Sequence, residues 1–516
     1  MRRPDHEVVI VGAGFGGMAA AIKLRAAGID DFLILERADE VGGVWRDNTY
    51  PGVAVDIPSF TYSYHFEPNP NWSRTYAPGE ELFDYAKNCA DKYGLRPKIR
   101  FGADVVAARF DETAHCWLVQ LADGTTVRGR YMFSCTGHFS TAQKPDIPGL
   151  DDFEGPAIYT MAWDHDQDLA DKRVAVIGTG ASGLQVIPAI APEVKSLRVF
   201  QRTPIWVLPR PDAELNTAVR SAFAHVPFTQ KSTRLATSVL SESFVTFGAV
   251  YNKQMPFVVK AVEKLCLAFL RAQVPDPVLR DKLTPKYGFG CKRPSFSNTY
   301  YPTFLRDNVE LVTDPIERIT PTGIRTTDGR EHQIDALILA TGFKVLDVPY
   351  DLHGTTGGTL SDLWHRDRMQ SYEGTTVRGY PNLFLNPGPY GVAGPSLFTS
   401  FDMCTTHALR VITAARARGA TRVEVSAAAQ EKFLHKMRRQ VGNTMFLSPA
   451  CAGTSTYYVD RHGDAPFLRP TTGPHGWLAQ HRFALDDYEY ARVPTHVTGP
   501  STLLAKGAPH TERVSQ

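Results

Sequence analysis

The chain has 516 residues, of which 43% are hydrophobic and 21% are charged. This length corresponds to about three domains of ordinary size, and the composition is that of a folded protein with a large core, which excludes disordered and fibrous classes. Lysine and arginine total 56 and aspartate and glutamate 54, so the net charge of +2 provides no field suited to nucleic acid or to an anionic membrane.

The N-terminus and the cysteines bear on the compartment in which the protein works. Residues Met1–Glu7 are polar and lead directly into a strand, which is unlike a signal peptide. The longest run without charge, Gly379–Phe401, contains four prolines, so no membrane-spanning helix is predicted there. The closest two of the seven cysteines, Cys116 and Cys135, lie 19 positions apart. This spacing supports no disulfide framework, metal site or redox-active cysteine pair, so we predict a reduced, cytoplasmic protein that is not a flavin disulfide reductase.

A βαβ unit opens the chain. Its parts are a strand at Glu7–Val11, a glycine-rich turn at 12–17 (GAGFGG), a helix at Met18–Ala27 and a second strand at Phe32–Leu35. In this dinucleotide-binding pattern Gly12 makes the tight turn, Gly14 admits the pyrophosphate and Gly17 lets the helix pack on the strand. Glu36 lies 24 positions after Gly12, where a carboxylate accepts hydrogen bonds from a ribose hydroxyl. The unit predicts a site for an unphosphorylated adenosine cofactor such as FAD.

The same pattern recurs in the middle of the chain. Its parts are the strand Val174–Ile177, the turn Gly178-Thr179-Gly180-Ala181-Ser182-Gly183, a helix and the strand Leu197–Phe200. At the position equivalent to Glu36 stands Arg202, followed by Thr203. A guanidinium binds a 2′-phosphate through two hydrogen bonds, whereas a carboxylate would repel it. The second unit therefore predicts an NADPH site, although an arginine at a strand end can also be a solvated cation without a ligand.

Two further strands, Tyr131–Gly137 and Asp335–Gly342, end in turns of small residues about 200 positions apart. Each resembles the turn at which flavoproteins with two dinucleotide sites carry the chain from one domain to the other. We predict an α/β fold with two dinucleotide-binding (Rossmann-like) domains, in which the NADPH domain is inserted into the FAD domain. The predicted segments are the first part of the FAD-binding domain (1–145), the first part of the NADPH-binding domain (146–211), a helical insertion (212–284), the second part of the NADPH-binding domain (285–334), the second part of the FAD-binding domain (335–445) and a C-terminal segment (446–516).

The predicted insertion has an amphipathic pattern. Five apolar residues lie close to one helical face there, namely Val259, Val262, Leu265, Cys266 and Phe269. Such a stripe indicates packing against the rest of the protein, and the modestly basic polar face supports a role at a membrane surface only weakly. The last twenty or so residues of the C-terminal segment are polar, with scattered proline and glycine, and are predicted to be poorly ordered.

Three stretches of the chain carry longer motifs. Gly42–Asp56 reads GGVWRDNTYPGVAVD, Phe153–Asp164 runs from FEG through Tyr159 to Trp-Asp, and Cys291–Pro294 reads CKRP. These stretches resemble the GGxW…YPGxxxD run, the FxGxxxHxxxW(P/D) fingerprint and the Lys-Arg pair of the class B flavoprotein monooxygenases, and within them of the Baeyer–Villiger monooxygenases. The resemblance extends over nearly the whole chain, as far as Cys451–Gly463.

The resemblance implies an activity and gives roles to five residues. In the family, NADPH reduces FAD, the reduced flavin takes up O2 as a peroxide, and one oxygen atom is inserted next to a ketone carbonyl to give an ester or lactone. Arg293 and Asp56 are then the catalytic residues: Arg293 stabilises the flavin peroxide, and Asp56 pairs with Arg293 and orients it. Lys292 is expected to reach the NADPH phosphate together with Arg202 and Thr203.

Further cofactor contacts follow from the same resemblance. Tyr62 and Val105 are expected near the flavin, and Trp45 lies in the segment beside it. A ketone and O2 are the expected reaction partners, with no nucleic acid, no metal and no integral membrane association. The predicted cofactor-binding residues are Gly12, Gly14, Phe15, Gly17, Glu36, Val44, Trp45, Asp56, Tyr62, Val105, Gly178, Thr179, Gly180, Ala181, Ser182, Gly183, Arg202, Thr203, Lys292 and Arg293.

The chain departs from the family at two positions. The fingerprint histidine is Tyr159, which keeps an aromatic ring and a hydroxyl but cannot become a cation near neutral pH. This change is either neutral or weakens the coupling of NADPH consumption to oxygenation. Tyr457 stands where many relatives have a tryptophan that covers the nicotinamide. Two alternatives to ketone oxidation stay open: a flavin-containing oxygenase acting on sulfur or nitrogen, and an uncoupled NADPH oxidase or a flavin- and NADP(H)-binding sensor.

Overall fold

Two sheets rich in parallel strands form the framework of the protein. The computed structural model describes residues 3–493, and the predicted disorder of the last twenty or so residues lies outside this range. The strands within it are β1 (His6–Val11), β2 (Phe32–Leu35), β3 (Ile99–Arg100), β4 (Val105–Asp111), β5 (Cys116–Leu121), β6 (Thr126–Ser134), β7 (Ala157–Tyr159), β8 (Arg173–Ile177), β9 (Ser196–Phe200), β10 (Val207–Leu208), β11 (Ser295–Phe296), β12 (Val309–Val312), β13 (Ile316–Thr320), β14 (Gly323–Thr326), β15 (Glu331–Gln333), β16 (Ala336–Leu339), β17 (Asp351–His353), β18 (Leu383–Leu385), β19 (Arg422–Val425) and β20 (Tyr488–Ala491).

Helices cover the faces of both sheets. They are α1 (Phe15–Ala26), α2 (Val44–Asp47), α3 (Gly79–Lys92), α4 (Ala181–Ile190), α5 (Thr217–His225), α6 (Pro227–Val245), α7 (Pro256–Gln273), α8 (Pro277–Leu283), α9 (Tyr300–Thr303), α10 (Leu360–Asp367), α11 (Leu397–Ala417), α12 (Ala427–Val441) and α13 (Gly473–Arg482). Among residues 3–493, no helix combines the length and the apolar character that crossing a membrane requires.

The first sheet has eight strands and contains the first βαβ unit. Its order is β17-β4-β5-β6-β1-β2-β3, and β18 also pairs with β6. The long strand β6 pairs with β5 along its first half and with β18 along its second half. Val8, Val9 and Ile10 in β1 are fully buried, as expected for a parallel strand that is covered on both faces. Helix α1 packs between this sheet and α11.

The second sheet has five strands in the order β12-β9-β8-β16-β7, all parallel to one another. It contains the second βαβ unit, formed by β8, α4 and β9. A small antiparallel sheet, β13-β14-β15, follows β12 in the chain. Both predicted βαβ units and the predicted two-domain α/β fold are therefore confirmed.

The strand β16 differs from its expected place. We predicted that residues from 335 onward resume the first domain, but Ala336–Leu339 pairs with β8 and β7 in the second sheet. An apolar run indicates a buried strand without indicating which sheet it joins. The two domains are instead connected just after β16, where the backbone N–H of Gln143 donates to the carbonyl of Gly342 and that of Lys344 to the carbonyl of Thr141.

The predicted insertion is helical. Helices α5 to α8 occupy Thr217–Leu283, with a π-helical turn at Thr246–Val250 between α6 and α7. Of the predicted apolar stripe in α7, Val259 and Cys266 are buried, but Leu265 is 51% exposed. The face of α7 that packs inward is thus narrower than the sequence pattern indicates.

Two of the cysteines differ from the prediction made from their spacing. Cys291 and Cys451 form a disulfide, with their Cα atoms 5.2 Å apart, although 160 positions separate them in sequence. Local spacing carries no signal for a pair at this range, which depends on the tertiary fold. The prediction of a fully reduced protein is therefore wrong for these two residues. The remaining five cysteines are free and buried.

Candidate active site

Glycines shape the turn between β1 and α1. Gly12 has φ of 101°, and a Cβ atom there would lie 2.6 Å from the carbonyl oxygen of Cys135 at the end of β6. A Cβ atom at Gly17 would collide with the carbonyl oxygen of Gly12. The turn thus requires glycine at both positions, once for the bend and once for the packing of helix on strand.

The N-terminus of α1 can receive an anion. Its N-cap Gly14 provides no side-chain cap, and the first turn contains no acidic residue, so the first backbone N–H groups are free for a pyrophosphate. Glu36, only 4% exposed, accepts hydrogen bonds from the backbone N–H of Ala13 (2.7 Å) and from Arg46 (3.0 Å). A third bond comes from the backbone N–H of Ala38 (3.1 Å). Since a carboxylate offers about four acceptor positions, Glu36 can still accept a ribose hydroxyl.

Phe15 and Val44 border the same turn. Phe15 begins α1, and its ring packs on Phe398 with the centroids 4.6 Å apart. Val44 begins the single turn α2 directly after Gly43, whose Cα atom lies 3.7 Å from the position of a Cβ atom on Gly14. The GGVW motif therefore packs against the first dinucleotide turn.

The residues expected beside the flavin fall into two groups. Trp45 Nε1 donates to the hydroxyl of Tyr62 at 3.3 Å, and the Tyr62 ring packs edge-on against Phe398. Burial raises the pKa of Tyr62 to about 12, so its hydroxyl stays protonated. Val105 begins β4 and packs in a different cluster, with Leu35 at the end of β2. The structure thus brings Trp45 and Tyr62 together and places Val105 in a separate cluster that contains Leu35, the residue before Glu36.

The second dinucleotide turn repeats the first in its geometry. Gly178 has φ of 107°, and a Cβ atom there would collide with the carbonyl of Ala340 after β16. A Cβ atom at Gly183 would collide with the carbonyl of Gly178. Gly180 is the N-cap of α4, has no side-chain cap and faces open space. Residues 178–183, including Ala181 and Ser182 in the first turn of α4, therefore form a second site open to a pyrophosphate.

A basic pair lies beside this second turn. The hydroxyl of Thr179 donates to the carbonyl of Thr203 at 3.2 Å, which anchors the loop that carries the exposed Arg202. Burial, and then the nearby charge of Arg202, lower the pKa of Lys292. Since two cations repel each other, their approach favours binding of an anion between them, such as a 2′-phosphate. Arg202 and Thr203 thus share one loop, and Lys292 lies near Arg202, whereas the binding of the NADPH phosphate by these three residues stays a prediction.

Arg293 and Asp56 form a bidentate ion pair. Arg293 Nε donates to Asp56 Oδ2 at 2.8 Å and Nη2 to Oδ1 at 2.7 Å. The negative charge of Asp56 raises the pKa of Arg293 well above its ordinary value, so the guanidinium is a fixed cation. The Arg293 side chain is 37% exposed, and the third guanidinium nitrogen is not used by Asp56. It can therefore donate to a ligand.

The segment that carries Asp56 is docked on the second domain. The hydroxyl of Tyr50 donates to Gln185 Oε1 at 2.8 Å, and Gln185 Nε2 donates to the carbonyl of Ala54 at 2.9 Å. Gly52 lies against the same helix, α4, with φ of +81°, and a Cβ atom there would lie 2.7 Å from the carbonyl oxygen of Gln185. The YPG motif thus couples the position of Asp56 to the NADPH-site helix.

Gly52→Ala is expected to destabilise this docking. Alanine in the left-handed conformation of this position costs about 1–2 kcal/mol. The overlap of its Cβ atom with the carbonyl oxygen of Gln185 costs about 1–3 kcal/mol more. Gly28→Ala is the matched control because Gly28 has φ of +76° but no atom within 4 Å of its Cβ position. Thermal denaturation should therefore show a larger fall in midpoint for Gly52→Ala than for Gly28→Ala. Equal falls would mean that the approach to α4 carries no energetic weight.

An aromatic wall stands next to Arg293. The two tyrosine rings at its centre have centroids 4.5 Å apart, their hydroxyls are 3.3 Å apart, and both act on the pKa of Arg293. Sequence reasoning identified Tyr457 but missed the others, because isolated aromatic residues give no signal of which face they share. The aromatic wall consists of Phe139, Phe446, Tyr457, Tyr458 and Phe467.

The fingerprint stretch builds an edge of the second sheet. Tyr159 ends β7, pairs with Leu339 of β16 and is half-buried against the same cluster as Phe153. Trp163 packs against the main core of the second domain. Tyr159 thus has a packing role, and its influence on coupling stays a prediction.

Comparisons with known proteins agree with this arrangement. A family model described as pyridine nucleotide-disulphide oxidoreductase matches residues 9–241, which include both dinucleotide turns. The disulfide of this chain involves positions 291 and 451, beyond the matched region.

Two relatives and one solved structure are similar over most of the chain. A Baeyer-Villiger monooxygenase of Streptomyces coelicolor is 36% identical over 97% of this chain and 96% of its own length. One from Pseudomonas aeruginosa is 37% identical over 86% of this chain and 84% of its own length. The crystal structure of OTEMO in complex with FAD and NADP superposes with a TM-score of 0.82, at 28% identity, over 95% of this chain and 100% of that one.

Proposed function

The chain belongs to the Baeyer–Villiger monooxygenases, which are flavin-dependent NADPH monooxygenases, and we propose that it converts a ketone to an ester or lactone. The reaction consumes the ketone, O2, NADPH and a proton and yields the ester, NADP⁺ and water. The observation that carries the proposal is the bidentate Arg293–Asp56 pair, held between two open dinucleotide turns.

We assign FAD to the first domain and NADPH to the second. Glu36 can accept a ribose hydroxyl of FAD, whereas Arg202 and Lys292 provide the positive charge that the 2′-phosphate of NADPH requires. When bound, FAD accepts hydride from NADPH and activates O2 for transfer to the substrate. The division into an FAD-binding domain and an inserted NADPH-binding domain is part of this proposal, with β16 now assigned to the NADPH-binding domain.

Arg293 supplies the electrostatic part of the mechanism. It stabilises negative charge that develops on oxygen, and with its raised pKa it does not release a proton that would neutralise that charge. Asp56 fixes the plane of the guanidinium through two hydrogen bonds and so aims the remaining nitrogen. The aromatic wall provides an apolar surface beside this cation, which suits the carbon skeleton of a ketone and limits the entry of water.

Product balance tests the proposal. Purified enzyme loaded with FAD is given linear, cyclic and bulky ketones and a thioether, and NADPH loss, ester and hydrogen peroxide are measured together. Ester in proportion to NADPH supports ketone oxygenation. Sulfoxide alone would favour the sulfur-oxidising alternative. Hydrogen peroxide that accounts for all the NADPH consumed, with every substrate, would favour the uncoupled oxidase. Tyr159, at the position of the fingerprint histidine, is the sequence feature that suggests this alternative. The cytoplasmic location stays a prediction.

A further inference from the structure

The disulfide lies next to the catalytic arginine in both sequence and space. Cys291 directly precedes Lys292 and Arg293, and Cys451 precedes Tyr457 and Tyr458 by a few residues. The two sulfur atoms thus join the loop that carries the cationic residues to the segment that carries the centre of the aromatic wall. Both cysteines are buried, with 1% and 8% of their surfaces exposed.

Non-covalent contacts also link these two segments. The backbone N–H of Gly288 donates to the carbonyl of Ala450 at 3.1 Å. Gly290, with φ of +86°, approaches the side chain of Met445 so closely that a Cβ atom would not fit. One hydrogen bond and apolar contact are within the range of local opening motions, whereas a covalent bond is not. The disulfide is the covalent link between the loop that carries Arg293 and the segment that carries Tyr457 and Tyr458, so it limits how far the two can separate.

We propose that Cys291–Cys451 is a thiol–disulfide switch that controls how Arg293 is positioned against the aromatic wall, and hence how well oxygen transfer is coupled to NADPH consumption. This inference rests on the proposed function. When the loop opens locally, a dithiol reductant reaches and attacks one of the two buried sulfur atoms. The S–S bond breaks, both cysteines become thiols, and the reductant leaves as a cyclic disulfide. A small disulfide oxidant reverses the exchange by accepting the two electrons and two protons.

The effect of breaking the disulfide depends on which contacts around Arg293 remain. The Arg293–Asp56 pair does not involve the C-terminal segment, so the reduced enzyme keeps its cation. What it loses is the covalent limit on how far Tyr457 and Tyr458 can move from Arg293. NADPH oxidation should then continue, but oxygen transfer to the ketone should fail because the site admits water. In a protein predicted to be cytoplasmic, this fits the general observation that disulfides there are usually transient or redox-sensing.

The experiment compares oxidised and reduced wild-type holoenzyme. Thiol titration in denaturant should count five free cysteines before treatment with dithiothreitol and seven after it. We expect reduction to leave NADPH oxidation nearly unchanged and to lower the ester formed per NADPH by about tenfold, as expected for a displaced positioning contact. Hydrogen peroxide should rise to match, and reoxidation with glutathione disulfide should restore ester.

Variants separate the switch from general effects of the reductant. Cys291→Ser/Cys451→Ser should behave like the reduced enzyme and ignore dithiothreitol. Cys116→Ala removes a free buried thiol in β5 and should keep the wild-type response to dithiothreitol. Should the double variant not fold, reduced wild-type enzyme provides the same comparison without a mutation.

A second readout does not depend on oxygenation. Hydrogen exchange in peptides covering 285–294 and 445–463 should increase on reduction, while exchange in β1 should not change. If no ketone is oxidised but hydrogen exchange increases on reduction, the proposed function fails, whereas the effect of the disulfide on these two segments is supported. Seven free thiols without reductant, or identical product balance and exchange in the oxidised and reduced forms, would overturn the switch.

Discussion

Arg293→Ala enzyme is expected to form ester about a hundredfold or more slowly than wild type, because it lacks the fixed cation that stabilises charge on oxygen. Asp56 holds this guanidinium by two hydrogen bonds of 2.8 and 2.7 Å. FAD should remain bound, since the first dinucleotide turn does not involve Arg293. Steady-state ester formation and the flavin absorbance spectrum check the two parts of the prediction.

Two comparisons make the result specific. Arg330→Ala breaks an arginine–carboxylate pair of similar length, 2.7 Å to Glu310, at an exposed site on the second domain, and should leave activity unchanged. Arg293→Lys keeps the charge but cannot make both bonds to Asp56, so an intermediate loss is expected. Wild-type ester formation by Arg293→Ala would remove this residue from the catalytic machinery.

Asp56→Asn tests orientation separately from charge. The amide keeps the size of the side chain but removes the negative charge that raises the pKa of Arg293. We expect a smaller loss of ester formation than with Arg293→Ala and a larger share of peroxide, because the cation remains but is less well aimed. A loss as large as that of Arg293→Ala would give Asp56 a role beyond orientation.

The local parts of this molecule could be predicted from its sequence. Gly12, Gly17, Gly178 and Gly183 are required by backbone approaches within a single βαβ unit, so their pattern predicts their geometry. The same holds for Glu36, whose distance from Gly12 is set by one helix and one strand. The pairing of Asp56 with Arg293 was an inference from family resemblance, and the geometry agrees with it.

Features that depend on distant contacts could not be predicted in this way. Cys291 and Cys451 meet only because the C-terminal segment returns to the loop after the insertion, 160 positions later. The strand β16 joins the second sheet through pairing with β8, which its apolar sequence does not specify. Leu265 is exposed because α7 packs inward with only part of its apolar face. Each of these outcomes is decided by tertiary packing rather than by local pattern.

The basic pair beside the second turn predicts a preference for NADPH over NADH. Arg202→Ala and Lys292→Ala should each raise the KM for NADPH by about tenfold to a hundredfold, since hydrogen bonds to a charged group contribute about 1.5–3 kcal/mol. The KM for NADH should change little because NADH lacks the 2′-phosphate. Initial rates with both nucleotides measure the ratio directly.

The double variant tests whether both cations bind the same phosphate. Residues that share one ligand give effects that do not add, and Arg202 already lowers the pKa of Lys292 in the free protein. Removing one cation relieves that repulsion, which partly offsets the loss of a contact. The double variant should therefore lose less than the product of the two single effects. Equal increases in KM for NADPH and NADH would instead place the pair at the pyrophosphate, which both nucleotides carry. The preference between the nucleotides would then depend on Thr203 and the rest of the loop after β9.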